Sequence, residues 1–306
     1  MSNHQKHFNS KFPIVCSGMN KVSDINLALA VRQNGCYPSL VVFNHLLMDE
    51  ITDRASNDPT LLDKALTEYS AHTGDSEYIL GVSTGFLRIP EMLDVIWKHK
   101  PSYLELFDTT ELKNLEFFNV LKKLQSHGIK ILLKTLYPNE ILKYSILCSV
   151  LDGVVIKGSK AAGRVSLDET DLIEDVKKLR AYRSNWIIIA QGGVHDSAGI
   201  RELIEAGADV VSMGTVFALS EESSIPTETK LKMMASSYTD TVKIGQANQN
   251  ALVFTKTDND VENNTIGLTT GLKTATNGHV FVGAALDHID QIKPVSQIVA
   301  ELTSGL

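Results

Sequence analysis

Lys134 and Lys157 each close a short apolar run, IKILLK and GVVIK, and Lys160 and Arg164 follow within seven residues of the second. A lysine at the end of a buried run can steady an anionic reduced flavin ring from its pyrimidine edge. It can also condense with a carbonyl substrate as a Schiff base, or lie along the surface with its ammonium in water. Gly192-Gly193 follows the run WIIIAQ, and Gly214-Thr215 follows ADVVSM. Glycines there leave backbone N–H groups open to a ligand, which suits an oxyanion such as phosphate; a tight turn is the plainer use. His195 lies two residues past the glycine pair, as a candidate base or a solvated loop histidine. His45 stands similarly after an earlier run. Glu105 sits within an apolar run, where its charge needs a partner, and Asp108 ends that run as candidate polar lining.

Other chemistries lack their residues. Cys16, Cys36 and Cys148 are odd in number and form no CxxC pair, which suits reduced thiols in a cytoplasmic protein. The histidines lack metal-ligand spacing, so no metal is expected, and no HExxH, nucleophile elbow or P-loop occurs. No strand leads into a GxGxxG turn. The formal net charge of −7 argues against general nucleic-acid binding, since phosphate backbones need a basic face. The polar start, Met1 to Lys11, has no apolar core of a signal peptide, and no apolar run reaches about 18 residues, so no membrane span is expected.

Eight short runs could position these residues: Phe12–Cys16, Ser39–Phe43, Tyr78–Val82, Tyr103–Phe107, Ile129–Leu133, Gly153–Ile156, Trp186–Ala190 and Ala208–Met213. Most are followed by an amphipathic segment. Ser23-Asp24 caps the first helix; Pro59–Ala71, Pro90–Lys98, Leu115–Gln125 and Pro138–Cys148 read as the next ones. Ser166-x-x-Glu169 reads as a capping box opening a helix to about Tyr182, and Asp196 caps the helix through Ile200, Leu203 and Ile204. Alternation of this kind predicts parallel pairing through right-handed crossovers. The expected fold is an α/β (β/α)8 TIM barrel; a doubly wound sheet is the competing architecture. Residues 1–306 then form a single domain. Residues 221–277, with one helical segment at Thr229–Ser237 and polar stretches around Asp258-Asn259-Asp260 and Asn263-Asn264, read as an insertion or lid before a last helix, Val295–Leu302. Barrel sites lie at the C-terminal ends of the strands, where all of the residues above fall, and phosphate often sits after strands seven and eight.

The segment IIAQGGVHDSAGIRELIEAGADVVSMGTVFALSEES (188–223) closely resembles FMN-binding barrels of the nitronate monooxygenase (2-nitropropane dioxygenase) family, which also contains flavin-dependent enoyl-acyl-carrier-protein reductases. FPIVCSGMNKVSDINLALAVRQNGCYPSL (12–40) resembles the family's opening strand and helix. LDGVVIKGSKAAGRV (151–165) is similar to its strand-six motif, and GHVFVGAALDHIDQIKPVSQIVAEL (278–302) to its closing segment. The resemblance implies FMN, with Gly18 and Met19 against the flavin ring, Ser83 where the family often has asparagine, and Lys157 in place of a flavin-lining glutamine. Gly192, Gly193, Gly214 and Thr215 would hold the phosphate.

The departures fall at the chemistry. The family's histidine, the base in nitronate oxidation, aligns with Arg164, its glutamate with Lys160 and one glycine with Ala162. Arginine stays protonated at neutral pH and cannot replace a base. It can bind an anionic group or stabilise developing negative charge. The resemblance therefore implies an FMN-dependent oxidoreductase of a small, anionic substrate, with Arg164 and Lys157 as catalytic candidates; position after the apolar runs adds His195 as a third catalytic candidate and Lys134 beside the cofactor. A reduced nicotinamide, NAD(P)H, is a candidate electron donor, and the chain is expected as a monomer or homodimer. An enoyl-reductase-like enzyme, a non-catalytic flavin binder and a Schiff-base lyase using Lys157 are the alternatives.

Overall fold

Eight short β-branched and leucine-rich runs become eight parallel strands. They are β1 (Ile14–Cys16), β2 (Ser39–Val41), β3 (Ile79–Val82), β4 (Tyr103–Leu106), β5 (Lys130–Thr135), β6 (Gly153–Lys157), β7 (Ile187–Gln191) and β8 (Val210–Met213). The computed structural model describes residues 3–46, 48–49, 54–55, 58–141, 148–166, 170–244, 249–254 and 278–306. Pairing runs β1-β8-β7-β6-β5-β4-β3-β2, parallel throughout. Tyr37 brings the two outer strands together: its N–H donates to Ile14 O at 2.8 Å, and Cys16 N–H donates to Tyr37 O at 2.9 Å. The result is an α/β barrel. Among the described residues, no helix is long and apolar enough to cross a membrane.

The helices are α1 (Ile25–Gln33), α2 (Thr60–Thr73), α3 (Pro90–His99), α4 (Leu115–Ser126), α5 (Pro138–Ile141), α6 (Leu172–Tyr182), α7 (Ser197–Glu205), α8 (Thr215–Ala218), α9 (Thr227–Met234) and α10 (Val295–Thr303). Asp24 caps α1 by accepting from Leu27 N–H, and Asp196 caps α7 by accepting from Gly199 N–H. The capping box expected at Ser166 does not open α6. That helix starts at Leu172, where Asp171 accepts from Ile173 and Glu174 N–H and places a carboxylate against the helix start. Ser166 is buried instead, and Glu169 lies outside the described residues. The expected helix 138–148 is seen as Pro138–Ile141, with residues 142–147 outside the described ones.

Two packing layers follow from strand pleating, which sends alternate side chains in and out. Outward residues such as Leu104, Leu133 and Ile188 join the helices in the main core. Inward residues Val15, Ile79, Tyr103, Leu132, Val155, Ile189 and Val210 fill the barrel with Phe8. Phe8 closes the N-terminal end: it is fully buried, stacks on Tyr103 at 4.9 Å and meets the Tyr37 edge at 5.1 Å. Tyr103 OH donates to His7 O. The polar N-terminal segment thus carries one aromatic plug that its composition hides.

Residues 221–254 hold more than the single helix expected of the insertion. Besides α9, Val242–Ile244 pairs antiparallel with Gln249–Val253, which also pairs with Gly163–Arg164 and with His279–Val280. These strands are too short for their alternation to show in the sequence. Residues 255–277, with the polar stretches around Asp258 and Asn263, lie outside the described ones.

Candidate active site

The inward rows that are apolar low in the barrel turn polar at its C-terminal end. Two residues beyond Tyr103, Leu132, Val155 and Ile189 come Glu105, Lys134, Lys157 and Gln191. β5 runs to Thr135 and β6 to Lys157, so both lysines lie inside the strands rather than just after them. Parallel pairing holds β4 beside β5, and there Lys134 Nζ forms an ion pair with Glu105 Oε1, the partner that the buried Glu105 needs. Lys134 Nζ also lies 4.8 Å from the Phe107 ring centroid.

Lys157 is buried and has no hydrogen bond or ion pair among the described residues. Burial strips water from its ammonium, and the charges of Lys134 and Arg164 oppose protonation further, while Glu105 favours it. The net effect lowers its pKa to about 7. Gly163 has φ +65°, and a Cβ there would lie 3.8 Å from Lys157 Nζ. Gln191 is buried with its Nε2 donating to Ser17 Oγ at 2.9 Å; its Oε1 has no partner among the described residues.

Above this floor lies a cavity of about 450 Å³. Gly18, Met19, Lys134, Lys157, Arg164, Gly214 and Thr215 all line it, as do Gln191, Phe107 and Asp108. Burial would raise the Asp108 carboxyl, but hydrogen bonds from Ser83, Thr84 and Thr110 outweigh this and lower its pKa. Ser83 itself does not line the cavity; it donates to Asp108. From residues 221–254, Ile225, Met233 and Gln249 form part of the wall.

The glycine loops lie on neighbouring strands. None of the hydrogen bonds among the described residues uses the N–H of Gly193, Gly214 or Thr215. Gly192 (φ +146°) and Gly193 (φ +72°) face the strand-six loop, where Cβ atoms would lie 3.4 Å from Gly158 and 3.0 Å from Lys160 Cβ. Gly192, Gly193 and Lys160 sit beside the cavity rather than in its wall. Thr215 Oγ1 accepts from Gly283 N–H at 3.0 Å.

His195 lies elsewhere. Its ring stacks on His288 at 3.5 Å, and its Nδ1 lies 3.3 Å from Gly193 O. It does not line the cavity. His45, after β2, is half-buried, and desolvation lowers its pKa. The strand ends mark Gln191 only as one polar residue of the expected mouth and assign no role to Phe107 or Phe281, which also line the cavity. Parity carried on from Ile189 would have turned Gln191 inward. Phe107 could also have been found, because it lies over Gly81, where a Cβ would meet its ring at 2.2 Å.

Fold and site together define an α/β barrel with a polar, cation-rich mouth. A family model for nitronate monooxygenase matches residues 140–305. The chain belongs to the nitronate monooxygenase family. It is 27% identical over 150 residues to a nitronate monooxygenase of Paraburkholderia phytofirmans, an alignment spanning 47% of this chain and 39% of the relative. Among solved structures it resembles FabK from Thermotoga maritima, with TM-score 0.79 at 21% identity over 99% of this chain and 95% of that one. It also resembles a nitroalkane oxidase from Streptomyces ansochromogenes, with TM-score 0.74 at 16% identity over 99% and 97% of the two chains.

Proposed function

We propose that this chain is an FMN-dependent oxidoreductase acting on a small anionic substrate. The observation that carries this reading is the cavity at the strand ends, with unused N–H groups on one side and cations on the other. The residues fit FMN. Gly193, Gly214 and Thr215 offer three backbone donors to a phosphate. Gln191 Oε1, with no partner among the described residues, offers an acceptor to a ring N–H, and Gly18 and Met19 give a partly apolar wall. FMN would supply reversible two-electron chemistry there.

The side chains have separable tasks. Lys134, paired with Glu105, and the protonated fraction of Lys157 place positive charge at the floor, favouring an electron-rich ring. Arg164, exposed at the cavity rim and fixed by pairing with Gln249, binds the substrate's anionic group. Ile225, Met233 and Gln249 line the cavity, which supports a lid role for the described part of 221–277. His195, stacked on His288, belongs to the loop that shapes the glycine pair rather than to proton transfer at the cavity.

With an arginine in place of the family histidine, a reductase reaction competes with nitronate oxidation, and a reduced nicotinamide is the proposed donor, in the cytoplasm. Steady-state oxidation of NADH or NADPH, with an enoyl thioester or oxygen as acceptor, is expected to proceed and to saturate. A flavin-loaded chain inert toward both donors and toward nitronates would support the non-catalytic flavin binder instead.

A further inference from the structure

Lys157 combines four properties that a flavin-lining role does not require together. It is buried, it has no hydrogen-bond or ion-pair partner among the described residues, and it lies at the floor of a cavity large enough for a small ligand. Gly163 lies over its amine without covering it. Glu105, the nearby carboxylate, is taken up by Lys134. The amine thus sits among positive charges with no anion of its own, and Arg164 stands in the wall of the same cavity.

We propose that Lys157 is a nucleophilic amine that captures an aldehyde or ketone bearing a carboxylate, holding it as a Schiff base at the floor of the barrel mouth. The uncharged amine is well populated at neutral pH, since burial and the charges of Lys134 and Arg164 bring its pKa to about 7. Its lone pair forms a bond to the carbonyl carbon, and the carbonyl π pair moves to oxygen. The oxygen then leaves as water with the two N–H protons, giving C=N with no change in oxidation state. Arg164 holds the carboxylate. The proposal does not rest on flavin binding: amine, cavity and arginine are the same whatever occupies the glycine loops.

The test is reductive trapping with glyoxylate and borohydride, followed by peptide mass mapping. It is run on the purified chain with and without added FMN, the absorbance spectrum recording flavin content separately. The expected result is one carboxymethyl group on Lys157, with a labelling rate half-maximal near pH 7. The charged groups facing this amine are Lys134, Glu105 and Arg164, with Asp108 further up the wall. Exposed lysines serve as internal controls that react only at higher pH. Lys157→Arg should abolish the adduct. Arg164→Ala should reduce labelling by glyoxylate about tenfold more than labelling by acetaldehyde, from the loss of a charge-assisted hydrogen bond, since both aldehydes share the rise in the Lys157 pKa that follows loss of a neighbouring positive charge. Absence of an adduct on Lys157 in both flavin-free and flavin-loaded protein would overturn the proposal. So would labelling no faster than that of surface lysines, or equal loss of both aldehydes in Arg164→Ala.

Discussion

The two ends of the barrel interior are filled from the same strands by residues two positions apart. Tyr103 and Glu105 share an inward row on β4, Leu132 and Lys134 on β5, Val155 and Lys157 on β6, Ile189 and Gln191 on β7. At the N-terminal end the inward groups that pack together are apolar or aromatic, and Phe8 from outside the strands completes the packing. At the C-terminal end an ion pair, the Lys157 amine and the Gln191 amide oxygen are held in place, the last two with no hydrogen-bond partner among the described residues. Burying such groups costs free energy that aromatic packing does not. The lower half therefore supplies stability, and the upper half holds polar groups ready for a ligand.

Truncating the plug should show the largest effect on the lower half alone. Phe8→Ala removes a fully buried ring from between Tyr37 and Tyr103, and is expected to cost about 3–5 kcal/mol in urea unfolding. Ligand affinity at the mouth should be unchanged under conditions where the variant stays folded. In the upper half, Glu105→Gln strips Lys134 of its buried partner and should cost about 3 kcal/mol. It should also lower the pKa of Lys157 further, since Glu105 is the charge that raises it. The pH dependence of amine labelling measures this directly.

Lys157 gives the comparison a pH axis. Its folded pKa of about 7 lies below the ordinary lysine value of 10.5, so between those values the unfolded chain binds the extra proton. Stability should therefore rise with pH across that window, by up to about 1.4 kcal/mol per unit. The whole penalty is present below pH 7. Lys157→Met should flatten this rise in denaturant titrations, whereas substitutions at the aromatic end should leave it intact. Arg164→Ala, at the exposed rim, should not change stability measurably. It should raise KM or lower turnover roughly tenfold while leaving flavin bound, the loss of one charge-assisted contact. Unchanged kinetics would remove Arg164 from the site.

Much of this division is visible in the residue order. Eight apolar runs ending in polar residues define the barrel and its mouth, and Asp24 and Asp196 cap the helices expected of them. What was hidden depends on chain segments meeting across space. Phe8 looks like one apolar residue in a polar tail until Tyr37 and Tyr103 surround it. The strand pairing of Gly163–Arg164 with Gln249–Asn250 joins segments far apart in sequence, through strands too short to show a period. Lys134 and Lys157 look equivalent at their strand ends. Only the position of Glu105 distinguishes them, pairing one and leaving the other bare. His195 shows the converse, a promising position whose ring is turned against His288.

The proposed oxidoreductase requires the polar half to hold a flavin. Equilibrium titration of the purified chain with FMN, followed by absorbance and fluorescence, addresses that directly. The expected result is a yellow protein that binds FMN stoichiometrically, with the affinity reduced by a bulky residue at Gly193 and unaffected by Phe8→Ala in the folded protein. A colourless chain that FMN cannot reconstitute would contradict it.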